Sequence, residues 1–582
     1  PARHGAALTL PPYGPLDVTD RFWRRLERCL ERHKTPDNGP VRPGDIQKTV
    51  GSAQQRLVAE RLAACLSSSA PTTSTLMADR GRGKSSALGM ALREVLRRAP
   101  HLKLAVTASD ARSAAEIFRF LRPDDPKGAQ RDHYIAPTDL LGADPVDILV
   151  VDEAAALSLP LLQRLTLRFG GAHLAFATTT HGYEGTGRGF SLRFVPWLQT
   201  QRANVAALTL ETPIRWGAGD RLEALINDAL VLDAEPAAVS GDGDGGLRQS
   251  VALDREALAH DEGLLRQFFG LLVQAHYRTS PGDLHRMLDA PNIGLYATLQ
   301  GSNVVAACLV AREGGLSVAQ CERLAQGKER IRGHALADTL ISHTGHTQAG
   351  TLKMIRSVRI AAHPALRRRG LASALVEHVH RSERPDLFGT LFGATARVVG
   401  FRRALGYALA RVGTSRGART GEPSVAMLRP VSPKARALVQ TLRAELARDL
   451  PTQLELMEKD GPLPLPPPLH RAILDALVDE PAPMSLEVAA RVVYSVAFGP
   501  RHFESAPLAV RTFIQAYPEA LEGLSERQKT LLLRRAVAFD DWATVAAAAD
   551  MGTLPATMRA LRRALQAFYR AAVPGDWPHD KA

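Results

Sequence analysis

Five short apolar runs, each followed by a helical pattern, occupy residues 46–233 and constrain the fold of this chain more than any other feature. Continuous apolar strands that alternate with helices are typical of a parallel sheet covered on both faces. The runs are TLMAD, LKLAVTA, VDILVVDEA, AHLAFATTT and VAALTL. We therefore predict an α/β domain with a parallel sheet over this part of the chain.

The first strand–helix junction carries the stretch MADRGRGKSSALG at residues 77–89. Gly83, Lys84 and Ser85 match the end of the pattern G-x-x-x-x-G-K-[ST], and Ala78 takes the place of the first glycine. In a loop of this pattern, backbone N–H groups and the helix N-terminus converge on nucleotide phosphates. The lysine neutralises the outer phosphates and the hydroxyl holds Mg²⁺. The stretch therefore predicts a phosphate-binding loop (P-loop).

A second polar pair, Asp152 and Glu153, ends the run DILVVDEAA. The end of an apolar strand is the usual seat of a magnesium-coordinating aspartate and a water-activating glutamate. A surface acidic pair after a buried strand is the alternative interpretation. Arg215, in ETPIRWGAGD, offers a cation for the γ-phosphate. Together these features predict a helicase-type ATPase that uses ATP and Mg²⁺, with Ser85 and Asp152 as metal ligands.

The remaining chain divides into further segments. Residues 1–45 contain one amphipathic helical pattern, residues 249–430 a second domain and residues 431–582 a helical tail. Residues 234–248 are predicted as a flexible linker, because their Asp-Gly alternation lacks the glutamate that closes a calcium loop.

The second domain begins with a hairpin pattern, IGLYATLQGSNVVAACLVA, followed later by LKMIRSVRIAAHPALRRRGLASALVEHV, a strand, a basic loop and a helix. Arg367, Gly370 and Ala372 give this loop the arrangement R-x-x-G-x-A. Between a strand and a helix, that arrangement predicts the pyrophosphate cradle of acetyl-CoA in the α+β GNAT acetyltransferase fold, with backbone amides at the helix start facing the pyrophosphate.

The order of a P-loop ATPase, a GNAT module and a helical tail resembles the tRNA(Met) cytidine acetyltransferase family. The matching stretches are ADRGRGKS, HGYEGTGRGF, PIRW, AHYRTSPGDLHRMLDAPN, RIRGH, RIAAHP and FGAT. In that family the loop begins with alanine, so Ala78 is a family feature. The resemblance implies transfer of acetyl from acetyl-CoA to the 4-amino group of the wobble cytidine in the anticodon of elongator tRNA(Met), forming N4-acetylcytidine, with ATP hydrolysis.

The resemblance also implies cofactor contacts. Those for ATP are Gln54 or Gln55, Asp79, Arg80, Gly81, Arg82, Gly83, Lys84, Ser85, Ser86 and Arg215. Those for acetyl-CoA are Ile360, Ala361, Ala362, Arg367, Arg368, Arg369, Gly370, Leu371, Ala372 and Ser373.

The chain departs from the family pattern after FGAT. Arg397 stands where a glutamate is expected and Ala404 where an arginine is expected, both on the cofactor side of the family's site. Arg403 is a candidate substitute for that arginine. Bacterial members usually carry an additional N-terminal domain, of which only a remnant fits before residue 46. Because the sequence also begins at Pro1 without a methionine, we expect a trimmed chain or a fragment.

The departures leave competing functions open. One alternative is an RNA-binding P-loop ATPase with a weakened or non-catalytic GNAT module. Another is a protein lysine acetyltransferase, which fits the cofactor loop but leaves the ATPase without a purpose. Nothing in the sequence specifies an oligomeric state.

Acetyl transfer to a cytidine amine needs a carbonyl partner and a proton acceptor. A backbone N–H near Ala361 or Ala362 is the expected carbonyl partner. His363 is the candidate base, with a histidine that caps the strand as the alternative. Tyr407 is a candidate acid for the thiolate, with a core aromatic residue as the alternative.

Positive charge predicts an RNA partner. The chain has 73 Lys and Arg against 60 Asp and Glu, a net charge of +13, although arginine enrichment in a GC-rich genome gives the same excess. Arg330, Arg332 and the 367–369 loop are expected phosphate contacts. In the tail, Met558, Leu561, Leu565 and Phe568 predict a buried stripe. Arginines surround it, either as tRNA contacts or as a solvated face: Arg559, Arg562, Arg563 and Arg570.

The remaining chemistry-bearing residues favour simple interpretations. His343, His346 and the EHVH stretch at 377–380 lack supporting carboxylates or cysteines at metal-ligand spacing, so solvated histidines are expected. The four cysteines form no close pair, which predicts a reducing cytoplasmic setting. No apolar run reaches membrane-spanning length, and we expect no membrane partner.

Overall fold

The structure is a computed structural model that describes residues 8–34, 52–179, 190–217, 219–239, 247–274, 280–417, 421–461, 465–477, 479–573 and 575. Most of the matched stretch HGYEGTGRGF, and the residues AHYRT at the start of AHYRTSPGDL, therefore lie outside the described residues.

The first module is a five-stranded parallel sheet in the order β2-β3-β4-β1-β5, as the apolar runs predict. Its strands are β1 (Thr73–Ala78), β2 (Leu104–Thr107), β3 (Ile148–Val151), β4 (His173–Thr179) and β5 (Val205–Leu210). The helices up to residue 239 are α1 (Arg21–His33), α2 (Ala53–Leu66), α3 (Lys84–Arg98), α4 (Ala115–Leu121), α5 (Pro126–His133), α6 (Leu159–Arg168), α7 (Val195–Gln201) and α8 (Arg221–Leu230).

The position of β1 determines where the P-loop lies. Because β1 pairs with β4 on one side and with β5 on the other, the loop after Ala78 lies beside the carboxyl ends of neighbouring strands. Thr179, the last residue of β4, is the registered partner of Ala78. In open parallel sheets, ligands bind at this edge.

The second module is a seven-stranded sheet in the order β11-β12-β10-β9-β8-β7-β6. Its strands are β6 (Arg248–Ala252), β7 (Ile293–Gln300), β8 (Asn303–Gly314), β9 (Lys353–Ala362), β10 (Leu387–Gly393), β11 (Ala408–Arg416) and β12 (Pro423–Pro430). Its helices are α9 (Arg255–His260), α10 (Glu262–Gln274), α11 (Pro281–Asp289), α12 (Val318–Ala325), α13 (Ala335–Thr344), α14 (Leu371–Ser382) and α15 (Ala396–Ala404). This α+β arrangement confirms the predicted hairpin, strand, loop and helix.

The parallel pair β9–β10 opens in the middle of the sheet. Its pairing runs from Met354–Leu387 to Ser357–Thr390 and stops, although β9 continues to Ala362. At the same level β9 bulges, because Leu309 of β8 pairs with Arg359 whereas Val310 pairs with Ser357. A bulge increases the local twist of a strand and can end its pairing. Beyond Ser357, a gap therefore separates β9 from β10.

The tail is helical, as expected. Its helices are α16 (Pro433–Asp460), α17 (Pro467–Leu474), α18 (Leu486–Ala497), α19 (Pro507–Ala516), α20 (Glu526–Leu531), α21 (Trp542–Ala548) and α22 (Leu554–Ala572). The start of α16 packs on the second module through Leu438 and Leu442. Helices α18–α22 enclose a separate core that contains Leu561, Leu565 and Phe568, while Met558 packs at its edge, so the predicted stripe is confirmed.

The N-terminal helix α1 is held by the second module and by α8. Arg25 is completely buried and donates to the carbonyl oxygens of Asp228 and Ala229, both at 2.7 Å, and to Glu262 at 2.8 Å. Before the helix, Thr19 donates to Asp289 of α11 at 2.7 Å. The described part of the segment that was predicted to be a remnant, residues 8–34, is therefore packed into the fold. Within the described ranges, no helix is long and apolar enough to cross a membrane.

Candidate functional site

The P-loop connects β1 to α3, and its backbone is shaped by glycine. Gly83 has φ of 82°, in the left-handed region, and a Cβ there would lie 2.3 Å from Gln55 Nε2 and 2.5 Å from Ile214 Cδ1. Only glycine fits such a close approach at a positive φ. Because α3 begins at Lys84, the first N–H groups of the helix have no intrahelical partner and point toward the loop.

Five side chains meet at the ends of α3, β3 and β4. Ser85 Oγ donates a 2.6 Å hydrogen bond to Asp152 Oδ2. Lys84 Nζ donates to Thr179 Oγ1 at 2.9 Å and lies 3.7 Å from Glu153 Oε1. Thr179 Oγ1 in turn contacts both carboxylate oxygens of Glu153 at 3.2 Å. The sequence predicted four of these residues as parts of one site and missed Thr179. The one indication for Thr179 is its position at the end of an apolar strand.

Asp152 is fully buried at this junction. Burial raises the pKa of its carboxyl to about 6, and the hydrogen bond from Ser85 opposes that rise. In the described part of the chain, no three His, Cys, Asp or Glu residues form a metal site. The oxygens of Ser85 and Asp152 are nevertheless hard ligands of the kind that Mg²⁺ takes from P-loop proteins, which leave its other positions to phosphate and water. The pair therefore fits Mg²⁺.

The two candidate glutamines have different surroundings. Gln55 Nε2 donates to Gly83 O at 2.9 Å and to Ser86 Oγ at 3.0 Å, so it braces the P-loop directly. Gln54 Oε1 accepts from the backbone N–H groups of Glu211 and Thr212, which follow β5.

The segment after β5 also contacts the P-loop. Ile214 N donates to Gly81 O at 2.8 Å, and the Trp216 ring lies against Gly81. Arg215 between them is exposed. The family stretch PIRW thus places an exposed arginine beside the loop. Within the loop, Arg80 is exposed and Asp79 is half-buried.

Arg82 of the P-loop is paired within the fold. Its Nη1 lies 2.7 Å from Glu223 Oε1, and its guanidinium faces the Trp216 ring at 5.9 Å. Trp216 Nε1 donates to the same carboxylate at 2.7 Å. In this arrangement Arg82 links the loop to α8.

The second candidate site is the loop before α14. Gly370 has φ of 77° and caps the helix, and Arg368 also has a positive φ of 65°. The three arginines 367–369 are exposed, and a Cβ on Gly370 would meet no atom within 4 Å. Leu371 is buried, whereas Ala372 and Ser373 are half-buried on the first turn. Unpaired N–H groups, a positive helix end and three cations form a cradle that suits the pyrophosphate of CoA.

The strand before this loop borders the gap between β9 and β10. Ile360 and Ala362 pack on the side of α14, and Ala361 packs on the opposite face of the sheet. These three residues pair with β8 but lie beyond the pairing with β10. Backbone groups at the gap therefore face a potential ligand rather than a neighbouring strand.

His363 has the surroundings of a structural cap. Its Nε2 hydrogen-bonds Ala237 O at 2.8 Å, and its Nδ1 accepts from Ala365 N at 3.3 Å. Both ring nitrogens are thus engaged by backbone groups, as in the capping alternative. The imidazole has no nitrogen left to accept a proton from a substrate without breaking one of these bonds.

Tyr407 belongs to the core of the second module. It is 4% exposed, and its Oη lies 2.9 Å from His380 Nε2. Burial raises the pKa of the phenol to about 12. These surroundings match the core-aromatic alternative.

Helix α15 carries the residues that depart from the family pattern. Arg397, Arg403 and Ala404 are all exposed on it. Arg402 beside them is buried and donates to Ser357 Oγ at 2.9 Å, at the level where β9 and β10 part. Burial lowers the pKa of this guanidinium. Sequence reasoning missed Arg402, because nothing local distinguishes it from its exposed neighbours.

The expectation of solvated histidines was wrong for several of them. His346 Nε2 lies 2.9 Å from Glu445 Oε2, and His343 stacks on His502. Burial, aided by nearby arginines, lowers the pKa of His343 to about 4. The side chain of His380 is 5% exposed and hydrogen-bonds Tyr407 Oη. These partners come from parts of the chain that are distant in sequence, so the local sequence does not indicate them.

The predicted RNA contacts differ in exposure. Arg330 and Arg332 are exposed on the second module. In the tail, Arg559, Arg563 and Arg570 are exposed. Arg562 instead donates to the carbonyl oxygens of Gly499 and Arg501, so its guanidinium is used within the fold.

Known proteins show the same combination of modules. The helicase domain of the RNA cytidine acetyltransferases NAT10/TcmA matches residues 75–233, and the family GNAT acetyltransferase 2 matches residues 267–382. The tRNA(Met) cytidine acetyltransferase TmcA of Nitrosococcus halophilus is 35% identical over 96% of this chain and 80% of its own length. The TmcA of Haloferax volcanii is 35% identical over 95% of this chain and 79% of its own length. The TmcA of Vibrio cholerae is 32% identical over 90% and 74% respectively. With relatives of this similarity along almost its whole length, the chain belongs to the tRNA(Met) cytidine acetyltransferase family.

Proposed function

We propose that this protein transfers acetyl from acetyl-CoA to the 4-amino group of the wobble cytidine in elongator tRNA(Met), and that its first module hydrolyses ATP. The observation that carries the proposal is the presence in one chain of two separate cradles. One is the P-loop with its Ser85–Asp152 pair, and the other is the Gly370 loop beside the open end of β9.

The first module supplies the groups that ATP hydrolysis needs. Lys84 neutralises the outer phosphates, Ser85 and Asp152 hold Mg²⁺, and Glu153 orients the attacking water. Mg²⁺ held by Ser85 and Asp152 would supply positive charge for the phosphates. Arg215 is an exposed cation beside the loop that could reach the γ-phosphate.

The second module supplies the acetyl donor. The backbone from Arg368 to Ala372 holds the pyrophosphate, and the gap beside Ile360 to Ala362 takes the rest of the acetyl-CoA chain. A backbone N–H at the open edge of β9 donates to the thioester carbonyl and stabilises the charge that develops on its oxygen. The exposed Arg403 remains a candidate cofactor contact.

The transfer itself exchanges one acyl bond for another. The cytidine nitrogen attacks the thioester carbon, the C–S bond breaks, and its electron pair stays on the CoA sulfur. The amine loses one proton and the thiol gains one. Because the lone pair of the amine is delocalised into the ring, precise positioning supplies much of the acceleration. We assign His363 to positioning, because its two backbone hydrogen bonds fix the start of the cofactor loop.

The partner is tRNA. The net charge of +13 and the exposed arginines near the second site and on α22 are suited to phosphate. All four cysteines are free thiols, which suits a reducing cytoplasm.

Transfer of label tests the proposal. Acetyl-CoA labelled in its acetyl group is incubated with the protein, ATP and tRNA(Met), and the label is followed into RNA and into protein. Label in tRNA supports the proposal. Label in protein lysines alone would favour a lysine acetyltransferase. Absence of saturable acetyl-CoA binding would favour an ATPase whose GNAT module has lost transfer.

A further inference from the structure

A cavity of about 460 Å³ lies in the second module between helices α10 and α11 and the sheet. Its size is within the range of sites that enclose small ligands. Val358, the residue that bulges from β9 just beyond the last pair with β10, lines it. The cavity therefore reaches the level at which, in the proposed function, the acetyl group lies.

The cavity and the cofactor loop lie on opposite faces of the sheet. Leu309 and Ala311 of β8 line the cavity and pack with α10. Helix α14, which follows Gly370, packs on the other face through Val376 and Val379. A donor held at the Gly370 loop and an acceptor in the cavity thus approach the open strand from two sides.

The lining of the cavity is strongly basic. It includes four arginines and one aspartate: Arg286, Arg332, Arg356, Arg359 and Asp283. Arg359 pairs with Asp283 at 3.1 Å, and Arg356 pairs with Glu313. Arg332 is exposed and has no ion-pair or hydrogen-bond partner among the residues that the structure describes. The surplus charge at the mouth favours an anionic ligand.

The third wall comes from the N-terminal segment, at Leu8, Thr9 and Leu10. Leu10 is 7% exposed and lies on Gly333, where a Cβ would approach Leu10 Cδ2 to 2.9 Å. His334 fixes this contact, because its Nε2 bonds Pro11 O at 2.5 Å and its Nδ1 accepts from Gly314 N at 2.9 Å. The stretch RIRGH therefore holds the N-terminal segment against the cavity and places Arg332 at its rim.

We infer that this cavity receives the acceptor cytidine, extruded as a single unpaired nucleotide, with Arg332 on its flanking phosphate and Leu10 as part of the wall. A base inside a duplex cannot reach an enclosed reaction centre, so it must be unpaired first. The inference rests on the proposed function and adds to it a specificity role for the N-terminal segment, which carries no catalytic motif.

The role of Arg332 as a phosphate contact is tested by measuring equilibrium binding and acetylation of two RNA hairpins. The hairpins differ only in whether one cytidine is unpaired or base-paired. Arg332→Gln should weaken binding of the unpaired hairpin at least fivefold and reduce its salt dependence by about one phosphate contact. Lys328→Gln is the matched control, because Lys328 is an exposed cation four residues away that does not line the cavity. Equal effects of the two variants, or no effect of either, would overturn the assignment.

The wall is tested with Leu10→Ala and Leu10→Met. The Leu10→Ala variant should lower kcat/KM at least fivefold for the hairpin whose cytidine is unpaired. Its acetyl-CoA affinity and its rate of ATP hydrolysis should stay within twofold of those of the parent protein. Methionine preserves volume and should retain activity. Leu16→Ala, at a fully exposed position of the same segment, is the control.

The two hypotheses fail in different ways. A parent protein that forms no N4-acetylcytidine contradicts the proposed function, while the binding measurements still decide the assignment of the cavity. Normal acetylation and normal RNA affinity in both Arg332→Gln and Leu10→Ala contradict the cavity alone.

Discussion

Ser85 Oγ donates a 2.6 Å hydrogen bond to Asp152 Oδ2, joining the start of α3 to the end of β3. These are the two oxygens that the P-loop and the carboxylate strand contribute to a magnesium site. We predict that Asp152→Asn lowers Mg²⁺-dependent ATP hydrolysis at least 100-fold, because an amide is a much weaker ligand than a carboxylate. Nucleotide affinity without Mg²⁺ should change less than threefold. A Mg²⁺ titration of both properties checks this, and hydrolysis at the parental rate would remove Asp152 from the metal site.

Substitution of Lys84 tests whether the two modules bind their ligands independently. Lys84→Ala should abolish ATP hydrolysis, because the phosphate charge loses its nearest cation, while acetyl-CoA affinity stays within twofold of the parent. Phosphate release measures hydrolysis, and isothermal titration with ATP and with acetyl-CoA measures the two affinities. Loss of both bindings in a folded variant would contradict two independent sites.

Gly370 tests the cofactor loop. Gly370→Val should weaken acetyl-CoA binding at least tenfold, or about 1.4 kcal/mol, because a β-branched side chain crowds the pyrophosphate. The positive φ adds strain of about 1–3 kcal/mol. Gly301→Val is the matched control, since Gly301 also has a positive φ of 60° and open space but lies in the β7–β8 turn. Similar affinity in both variants would show that strain, not contact with the ligand, explains any loss.

Substitution of Arg535 tests whether its buried ion pairs stabilise the helical tail. It is completely buried, lies 2.6 Å from Asp460 and 3.0 Å from Glu504, and faces the Trp542 ring at 4.3 Å. Arg535→Met leaves two carboxylates without their cation and should destabilise the tail by about 3–5 kcal/mol.

Hydrogen exchange of amides in α18–α22 measures that loss. An increase in exchange of at least about 100-fold is expected in the most protected amides. The neighbouring Arg534→Met removes a more exposed pair with Asp540 and should cost less than about 1 kcal/mol. Equal exchange in the two variants would contradict a buried ionic core.

Local sequence patterns were sufficient to predict much of the fold. The helix that starts at Lys84, the five strands of the first sheet and the glycine at position 370 follow from periodicity and from motifs whose residues are close in sequence. Thr179 enters the ATP site only because β4 lies beside β1, which depends on strand order. Other contacts also depend on partners far away in the sequence. They are the hydrogen bond of His363 with Ala237, the pairing of His346 with Glu445 and the buried contacts of Arg25.

The most direct measurement is mass spectrometry of nucleosides from tRNA(Met) incubated with the protein, acetyl-CoA and ATP. We predict N4-acetylcytidine at the wobble position of tRNA(Met), and none when that cytidine is replaced by uridine. At limiting acetyl-CoA, Gly370→Val should form at least tenfold less product than the parent protein. A folded protein that binds acetyl-CoA and hydrolyses ATP, yet leaves the wobble cytidine unmodified, would contradict the proposed function.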